Sequence, residues 1–437
     1  MTIQPTTLLD AARAVQNGTA TPTSLVEQAL ANAQTRADLN AIAALNENAP
    51  REAEDMTREA QEGAWRGPLH GIPITIKDLF NVRGLPTKCG AKASMPTLLP
   101  DEAEAVQRLR GAGAIVLAKT NMVEIALGTT GENPWTGDVK NPHDPARMSG
   151  GSSSGSAAAV AAGIGLGSLG TDTAGSIRIP AAWCGVVGFK PTYGRVPLAG
   201  ALDLCWSCDH AGPITKTVAD ARLMFEVLAD APAQTAQVRG PRLGVPRAYL
   251  AGALSAGVRA AFEDFLRRAK AAGATLVEIQ PEYIEHGVAA FVPLRAESSF
   301  THRRAIETEP ENFSPFVRAE LERGLRVTAQ DYLQGLQLQK LVRDGMRDCL
   351  KNVDAIVMPA VPCVAPLRGA TETELESGVA PLRGAVLHLS RPFALAGLPT
   401  VSLPFAQVDG LPVGLQIACD LNADHAALNI AEWAETV

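Results

Sequence analysis

The chain has 437 residues, of which 46% are hydrophobic and 19% charged, and its formal net charge is −7. This hydrophobic content allows a large buried core and excludes a disordered chain. The acidic balance and the lack of a basic run argue against nucleic acid or an anionic membrane as the main partner. The most hydrophobic stretch, 157–169, is short and rich in Ala and Gly, so we expect no membrane-spanning segment.

The cysteines point to a reducing compartment. There are 7 of them, an odd number spread along a long chain, which favours free thiols in a cytoplasmic protein over a disulfide framework. The first residues lack the basic start and apolar run of a secretory signal. Cys205 and Cys208 fit a C-x-x-C pattern without a thioredoxin-like unit around them, and the histidines show no metal spacing. We therefore expect no metal site from these residues.

The first half of the chain predicts an α/β arrangement. Two helices are expected within 6–34, the second capped by Thr23-Ser24. A strand at 71–77, a helix at 102–110 and a buried strand at 114–118 together predict a right-handed parallel crossover. The segments that follow are a polar loop at 131–148, a Ser/Gly-rich run at 149–156, a helix at 157–162, a short strand at 166–169 and a second loop at 170–176.

Residues 231–239 form the best candidate for a linker. Beyond them, the pattern predicts a helix at 258–269, a strand at 274–279, a charged helical region at 281–350, and strands at 355–358, 400–403 and 413–417, with Asp409-Gly410 as a hairpin turn. Because strands and helices alternate on both sides of the linker, we predict one large sheet rather than two separate domains.

Two lysines are candidates for a catalytic base. Lys77 ends an isoleucine-rich strand, where burial would lower its pKa towards a neutral amine that can accept a proton. A lysine that reaches solvent from the strand end is the alternative. Lys119 ends the next strand and has an equal claim on these grounds.

Two polar loops carry the remaining chemistry. Residues 171–176 could form a turn whose successive N–H groups make an oxyanion hole, or a purely structural turn. Residues 150–156 could form an anion nest or a helix cap; they lack the lysine of a P-loop. They also contain Gly151-x-Ser153-x-Gly155, an esterase pattern that would pair with His425, but no hydrophobic strand directly precedes that serine.

Several motifs in order resemble the amidase signature family, densely over 66–220 and more thinly elsewhere. They are GIPITIKD at 71–78, AKTN at 118–121, GGSSSGS at 150–156, GTDTAGSIR at 170–178, PAAWCG at 180–185, GFKPT at 188–192 and DHAGP at 209–213. The resemblance implies that 1–437 form one α/β domain in which α-helices surround a large twisted mixed β-sheet. The catalytic core would span 66–220, and a more variable region at about 240–350 would shape the substrate pocket.

The resemblance also implies the residue roles. Lys77 would be the base, Ser152 the bridging serine after a cis peptide bond, and Ser176 the nucleophile. The oxyanion hole would consist of the N–H groups of Thr173, Ala174, Gly175 and Ser176, although Ala174 stands where glycine is more usual. Ala126 and Ser152 would line the substrate pocket.

The implied function is hydrolysis of the C–N bond of a carboxamide or N-acyl amide through a serine acyl-enzyme, and the resemblance implies that no metal or cofactor is required. The expected partner is a small-molecule amide, without nucleic acid or membrane, and a homo-oligomer is compatible with the sequence. One alternative is the glutaminase-like A subunit of a tRNA-dependent amidotransferase, although Leu387 stands where that subunit carries an aspartate. The other alternative is a non-catalytic anion-binding protein.

Overall fold

The computed structural model describes residues 5–437, which are built around one mixed sheet of 11 strands with a separate two-stranded hairpin. The strands are β1 (Ile42–Leu45), β2 (Pro73–Lys77), β3 (Ile115–Thr120), β4 (Gly167–Asp172), β5 (Val187–Lys190), β6 (His210–Thr215), β7 (Arg242–Val245), β8 (Thr275–Glu278), β9 (Ala355–Pro359), β10 (Glu372–Leu375), β11 (Gly378–Pro381), β12 (Thr400–Val408) and β13 (Leu411–Ala418).

Fifteen α-helices of the described residues cover the sheet. They are α1 (Leu8–Gln16), α2 (Pro22–Thr35), α3 (Ala49–Gln61), α4 (Glu104–Gly111), α5 (Ser154–Ala161), α6 (Arg178–Cys184), α7 (Val218–Leu228), α8 (Arg247–Leu250), α9 (Ala256–Ala271), α10 (Val292–Thr301), α11 (Arg303–Thr308), α12 (Pro315–Gly324), α13 (Ala329–Leu350), α14 (Leu382–Leu395) and α15 (Asp424–Glu435). Short 3₁₀ turns lie at Ala37–Leu39, Glu124–Ala126, Ile284–Gly287, Ala289–Phe291 and Pro310–Asn312.

The sheet joins strands from both sides of the linker. Its order is β1-β3-β2-β4-β6-β5-β12-β13-β9-β7-β8, and residues 231–239 contain no helix or strand. The β2–β3 pair is parallel, and β12 and β13 form an antiparallel hairpin around Asp409-Gly410. The predictions of a parallel crossover, a C-terminal hairpin and one large α/β sheet are therefore confirmed.

Several element boundaries differ from the prediction. Helix α2 begins earlier than expected because Thr21, rather than Thr23-Ser24, is its N-cap and shares a capping box with Ser24. Strand β4 continues to Asp172, since residues 170–172 pair with β6 instead of forming a loop. The edge strand β1 was missed; it is short, and its residues alternate between partly buried and exposed positions.

The topology brings the ends of two parallel strands together. Strands β2 and β4 are neighbours, with Ile76 opposite Leu169, and they end at Lys77 and Asp172. Because parallel strands share their carboxyl edge, the residues that follow each strand meet there. Helix α5 begins at the same edge.

Among residues 5–437, no helix is long and apolar enough to cross a membrane. Within the same residues, no group of three or more His, Cys, Asp and Glu side chains is arranged to hold a metal ion.

Candidate active site

Lys77 is fully buried at the end of β2. Its Nζ donates hydrogen bonds to Ser152 Oγ at 2.8 Å and to Thr171 Oγ1 at 2.7 Å. Burial lowers the pKa of Lys77 to about 7, although the charges of Asp209 and Asp172 oppose the shift. The amine can therefore accept a proton near neutral pH, and the interpretation of Lys77 as a solvent-reaching lysine is wrong.

Lys119 is buried as well, but it has a carboxylate partner. Its Nζ lies 3.0 Å from Asp78 Oδ1 and donates to Thr87 Oγ1 at 3.0 Å. Burial lowers the pKa of Lys119, and the Asp78 carboxylate opposes that shift by stabilising the ammonium form. The structure thus separates the two lysines: Lys119 belongs to a buried ion pair, whereas Lys77 contacts hydroxyl groups.

The serine loop reaches Lys77 from the start of α5. The Gly151–Ser152 peptide bond is cis, as the family resemblance implies, and Ser152 is fully buried. The N–H of Ser153 donates to the carbonyl of Ser176 at 3.1 Å, so the two serine-bearing loops lie side by side. Glycine is required at 155 because a Cβ there would lie 2.3 Å from the Ala41 carbonyl oxygen.

Asp172 organises the turn that leads to Ser176. Its carboxylate pairs with Arg178 at 2.9 Å, and both side chains are inaccessible to solvent. The same carboxylate accepts the N–H of Gly175 at 2.7 Å and that of Ile177 at 3.2 Å. Burial alone would raise the pKa of Asp172, but the charge of Arg178 holds it well below its usual range. The ionised carboxylate fixes the turn.

The hydrogen bonds of this turn correct the expected oxyanion hole. The N–H of Gly175 is already donated to Asp172 and is not free to hold an oxyanion. Within residues 5–437, the N–H groups of Thr173, Ala174 and Ser176 donate to no protein acceptor. These three groups are therefore the available donors.

The turn needs glycine at 175 but not at 174. Gly175 has a φ of +132°, and a Cβ there would lie 2.5 Å from Ser390 Oγ. Ala174 does not adopt a positive φ, and its carbonyl accepts a hydrogen bond from the Ser390 hydroxyl. The alanine that departs from the usual family pattern therefore fits the backbone.

Two residues that sequence reasoning did not assign support this turn. The buried Asp209 accepts hydrogen bonds from the Thr173 hydroxyl and from the N–H of Cys205 at 2.8 Å. Ser390 lies on α14, and its carbonyl accepts a 2.8 Å hydrogen bond from Arg178, which is 212 residues away in the sequence. Asp209 belongs to a quoted motif that could have signalled it, whereas Ser390 has no local signal.

A cavity of about 670 Å³ adjoins the serine loop. Val123 and Gly128 form part of its wall, and the N–H of Val123 donates to the Ser152 carbonyl at 3.3 Å. Ala126, expected on the pocket wall, is buried and does not line this cavity; its neighbour Leu127 does. Ser176 retains 7% exposure. Lys77, Ser152 and Ser176 do not line the cavity itself, so the cavity is a candidate site for the part of a substrate that extends away from the serine loop.

The esterase arrangement does not form. Ser153 Oγ is buried and donates to the Thr171 carbonyl at 3.1 Å. His425 packs edge-on against Phe225 and lies 4.0 Å from Glu226. All seven cysteines are free thiols, including the Cys205/Cys208 pair.

Comparison with known proteins shows the family to which the chain belongs. The family described as Amidase matches residues 24–428. The A subunit of the glutamyl-tRNA(Gln) amidotransferase of Deinococcus radiodurans is 35% identical over 470 residues, which cover 98% of this chain and 96% of that protein.

Solved structures agree with this placement. A crystal structure of an amidase is 48% identical to the chain with a TM-score of 0.96, and the match covers 98% of this chain and 99% of the other. The peptide amidase from Stenotrophomonas maltophilia is 26% identical with a TM-score of 0.83, covering 98% and 96%. Because family and structural matches span nearly its whole length, the chain belongs to the amidase signature family, whose enzymes act on amide C–N bonds.

Proposed function

We propose that the protein is an amidase that hydrolyses a carboxamide or N-acyl amide of a small molecule through an acyl-enzyme on Ser176. One observation carries the proposal: a fully buried lysine, Lys77, contacts the hydroxyl of Ser152 instead of a carboxylate. A buried amine without a carboxylate partner gives up its proton readily, which suits it to general-base catalysis.

The first half of the reaction forms the acyl-enzyme. Neutral Lys77 accepts a proton from the Ser152 hydroxyl, which in turn accepts the proton of Ser176 Oγ. Ser176 Oγ then bonds to the amide carbon, and the carbonyl π electrons move to the oxygen. The free N–H groups of Thr173, Ala174 and Ser176 would hold the negative oxygen.

The second half releases the products. The oxyanion collapses, the C–N bond breaks, and the proton held by Lys77 returns through Ser152 to the leaving nitrogen. Neutral Lys77 then takes a proton, through Ser152, from a water molecule whose oxygen bonds to the acyl carbon. The bond between the acyl carbon and Ser176 Oγ breaks, the proton returns through Ser152 to Oγ, and the carboxylic acid leaves. Thr171 Oγ1, 2.7 Å from Lys77 Nζ, orients the amine throughout, because a neutral lysine can donate to Thr171 while its lone pair faces Ser152.

A second candidate is the glutaminase-like A subunit of a tRNA-dependent amidotransferase. The 35% identity to the Deinococcus radiodurans protein favours it. However, the resemblance implies an aspartate that holds glutamine at the position of Leu387, which is a buried apolar residue of α14. Because of this difference, we rank hydrolysis of another amide above the glutaminase function.

Covalent labelling with a serine-directed fluorophosphonate, followed by intact-mass analysis and peptide mapping, tests the proposal. We expect the label on Ser176 in the wild type and in the control Lys270→Ala, whose lysine is exposed, and its loss in Lys77→Ala. A label on Ser153, or labelling that is indifferent to Lys77, would contradict the mechanism; no label at all would favour the anion-binding alternative. Ammonia release from glutamine above that from other primary amides would favour the amidotransferase function.

A further inference from the structure

Helix α14 carries two arginines that lack partners. Arg383 and Arg391 are both half-buried, and the Nε atom of each has no hydrogen-bond acceptor within residues 5–437. Neither arginine forms an ion pair among those residues. The terminal N–H groups of a half-buried guanidinium that has no acceptor in the protein can bind only water or a ligand.

Arg383 faces the cavity beside the serine loop. It lines the cavity together with Phe316, and its Cζ lies 5.0 Å from the centre of that aromatic ring. A guanidinium held over a ring keeps its N–H edge available for a ligand. Val317 and Leu127 make the adjoining wall apolar.

The same helix connects Arg383 to the turn formed by residues 173–176. Ser390, whose hydroxyl donates to the Ala174 carbonyl, follows Arg383 by seven residues on α14. Seven residues are nearly two helical turns, so both side chains lie on one face, about 10 Å apart along the axis. A substrate with its carbonyl at Ser176 could therefore place a second group at Arg383.

The acidic residues around Arg383 are already engaged. Three carboxylates line the same cavity, and Glu320 lies near the guanidinium outside it, but protein donors hold all four. Two of them accept hydrogen bonds from neutral donors: Glu124 from Trp135 Nε1 at 2.8 Å and from the N–H of Ser314 at 3.2 Å, and Glu132 from the N–H of Gly369 at 2.6 Å. The other two form ion pairs: Asp138 with Arg368 at 3.1 Å, and Glu320 with Arg295 at 3.0 Å.

Arg391 adds a second positive charge near this face of α14. Burial, together with the charge of Arg383, lowers the pKa of Arg391 to about 10, so it stays protonated at neutral pH. Its Cζ lies 5.2 Å from the ring centre of Phe291. Two neighbouring cations without acceptors attract an anion more strongly than either one alone.

We propose that Arg383 binds a carboxylate of the substrate, and that the enzyme acts on amides that also carry a carboxylate, such as monoamides of dicarboxylic acids. A carboxylate matches the planar fork of a guanidinium and can accept two parallel hydrogen bonds. This proposal rests on the proposed amidase function, because it assigns a substrate class to the same site.

The test compares succinamate, glutaramate and adipamate with butanamide, pentanamide and hexanamide. Each compound is used to slow fluorophosphonate labelling of Ser176, and kcat/KM is measured for each amide that is hydrolysed. The variants are Arg383→Met, Arg383→Lys and the control Arg303→Met, whose exposed arginine pairs with Glu307. Thermal melts show whether each variant is folded.

We expect the carboxylate amides to protect wild-type Ser176 better than the neutral amides. Arg383→Met should weaken that protection about 10- to 100-fold, as expected for loss of a hydrogen bond between charged groups. Protection by the neutral amides should stay within about threefold of the wild-type value. In Arg383→Lys, protection by the carboxylate amides should lie between that of the wild type and that of Arg383→Met. In Arg303→Met, it should equal that of the wild type. If Arg383→Met does not fold, the intermediate effect of Arg383→Lys carries the test.

Two failures are distinguishable. In the first, Ser176 is labelled in a Lys77-dependent manner, but the carboxylate amides protect it no better than the neutral amides, or protect it equally well in the Arg383 variants. Only the carboxylate proposal is then wrong. If Ser176 is not labelled even without a competitor, the proposed function fails and the carboxylate proposal fails with it.

Discussion

The carboxylate of Asp172 accepts the N–H of Gly175 at 2.7 Å while it pairs with Arg178 at 2.9 Å. This side chain closes the turn before Ser176 and turns the N–H of Gly175 away from any oxyanion. Within residues 5–437, the N–H groups of Ala174 and Ser176, on either side of Gly175, have no protein acceptor. A buried ion pair thereby determines which backbone N–H groups of this turn remain available to a ligand.

Asp172→Asn should therefore impair both stability and catalysis. The amide keeps the shape of the side chain but leaves the buried Arg178 without a counter-charge, which costs about 3–5 kcal/mol of unfolding free energy. Loss of the ordered turn should lower kcat about 10²- to 10³-fold. Chemical denaturation and steady-state kinetics measure these changes, with Asp264→Asn at an exposed ion pair as the control that should change neither. Wild-type stability and kcat in Asp172→Asn would contradict this role.

Substitutions at two adjacent small residues of the turn, Ala174 and Gly175, should have very different effects on kcat. Gly175→Ala forces a Cβ into a positive-φ backbone and against Ser390, so we expect kcat to fall at least about 10²-fold. Ala174→Gly removes only a methyl group and should leave kcat within about threefold, since this N–H remains in place. The pair is compared by kcat on one amide substrate; equal effects would show that the geometry of this turn does not matter for catalysis.

The parts of the fold that sequence reasoning predicted correctly depend on local patterns. Lys77, Ser152 and Ser176 stand in contiguous motifs, and the strand and helix patterns around them predicted the parallel crossover that the structure shows. Burial alone did not decide between Lys77 and Lys119, because both are buried; only the folded chain reveals that Asp78 pairs with Lys119.

The parts that could not be predicted depend on contacts across long stretches of sequence. Ser390 on α14 donates a hydrogen bond to the turn at residues 173–176. Arg383, on the same helix, lines a cavity whose opposite wall comes from residues near Val123. The loss of Gly175 as an oxyanion donor also required the folded geometry, since the sequence shows the Asp172 carboxylate nearby but not which N–H it accepts. Weakly patterned edge strands such as β1 were missed because one of their faces is only partly buried.

Ser152→Ala should separate amide from ester hydrolysis. Without the bridging hydroxyl, the proton from Lys77 has no short route to the leaving nitrogen, and general acid–base catalysis typically contributes about 10²- to 10⁴-fold. An ester with a good leaving group needs that proton less, so its kcat/KM should fall by a smaller factor. Matched amide and ester substrates with the same acyl group measure the difference. An equal loss for both substrates would contradict the proton-bridging role of Ser152.

Lys77→Met should change the pH dependence of stability. The folded pKa of Lys77 is about 7 and its ordinary value is 10.5, so the unfolded chain binds more protons between these two values. The contribution of Lys77 to folding stability therefore rises with pH from about 7 to 10.5, and the amine is most destabilising below about pH 7. Because methionine removes this penalty, the variant should have a higher Tm than the wild type at pH 6 and a smaller advantage at pH 9. A Tm difference that is the same at both pH values would contradict a depressed pKa of Lys77.

Activation of Ser176 by a neutral Lys77 is the centre of the proposed mechanism, and its most direct test is the pH dependence of fluorophosphonate labelling at Ser176. In the wild type, the labelling rate should rise with pH about tenfold per unit below about pH 7 and level off above it, because the amine must lose its proton first. In Lys77→Met, the rate should be low and show no inflection near pH 7. A wild-type rate that is flat across this range, or an inflection that persists in Lys77→Met, would contradict the mechanism.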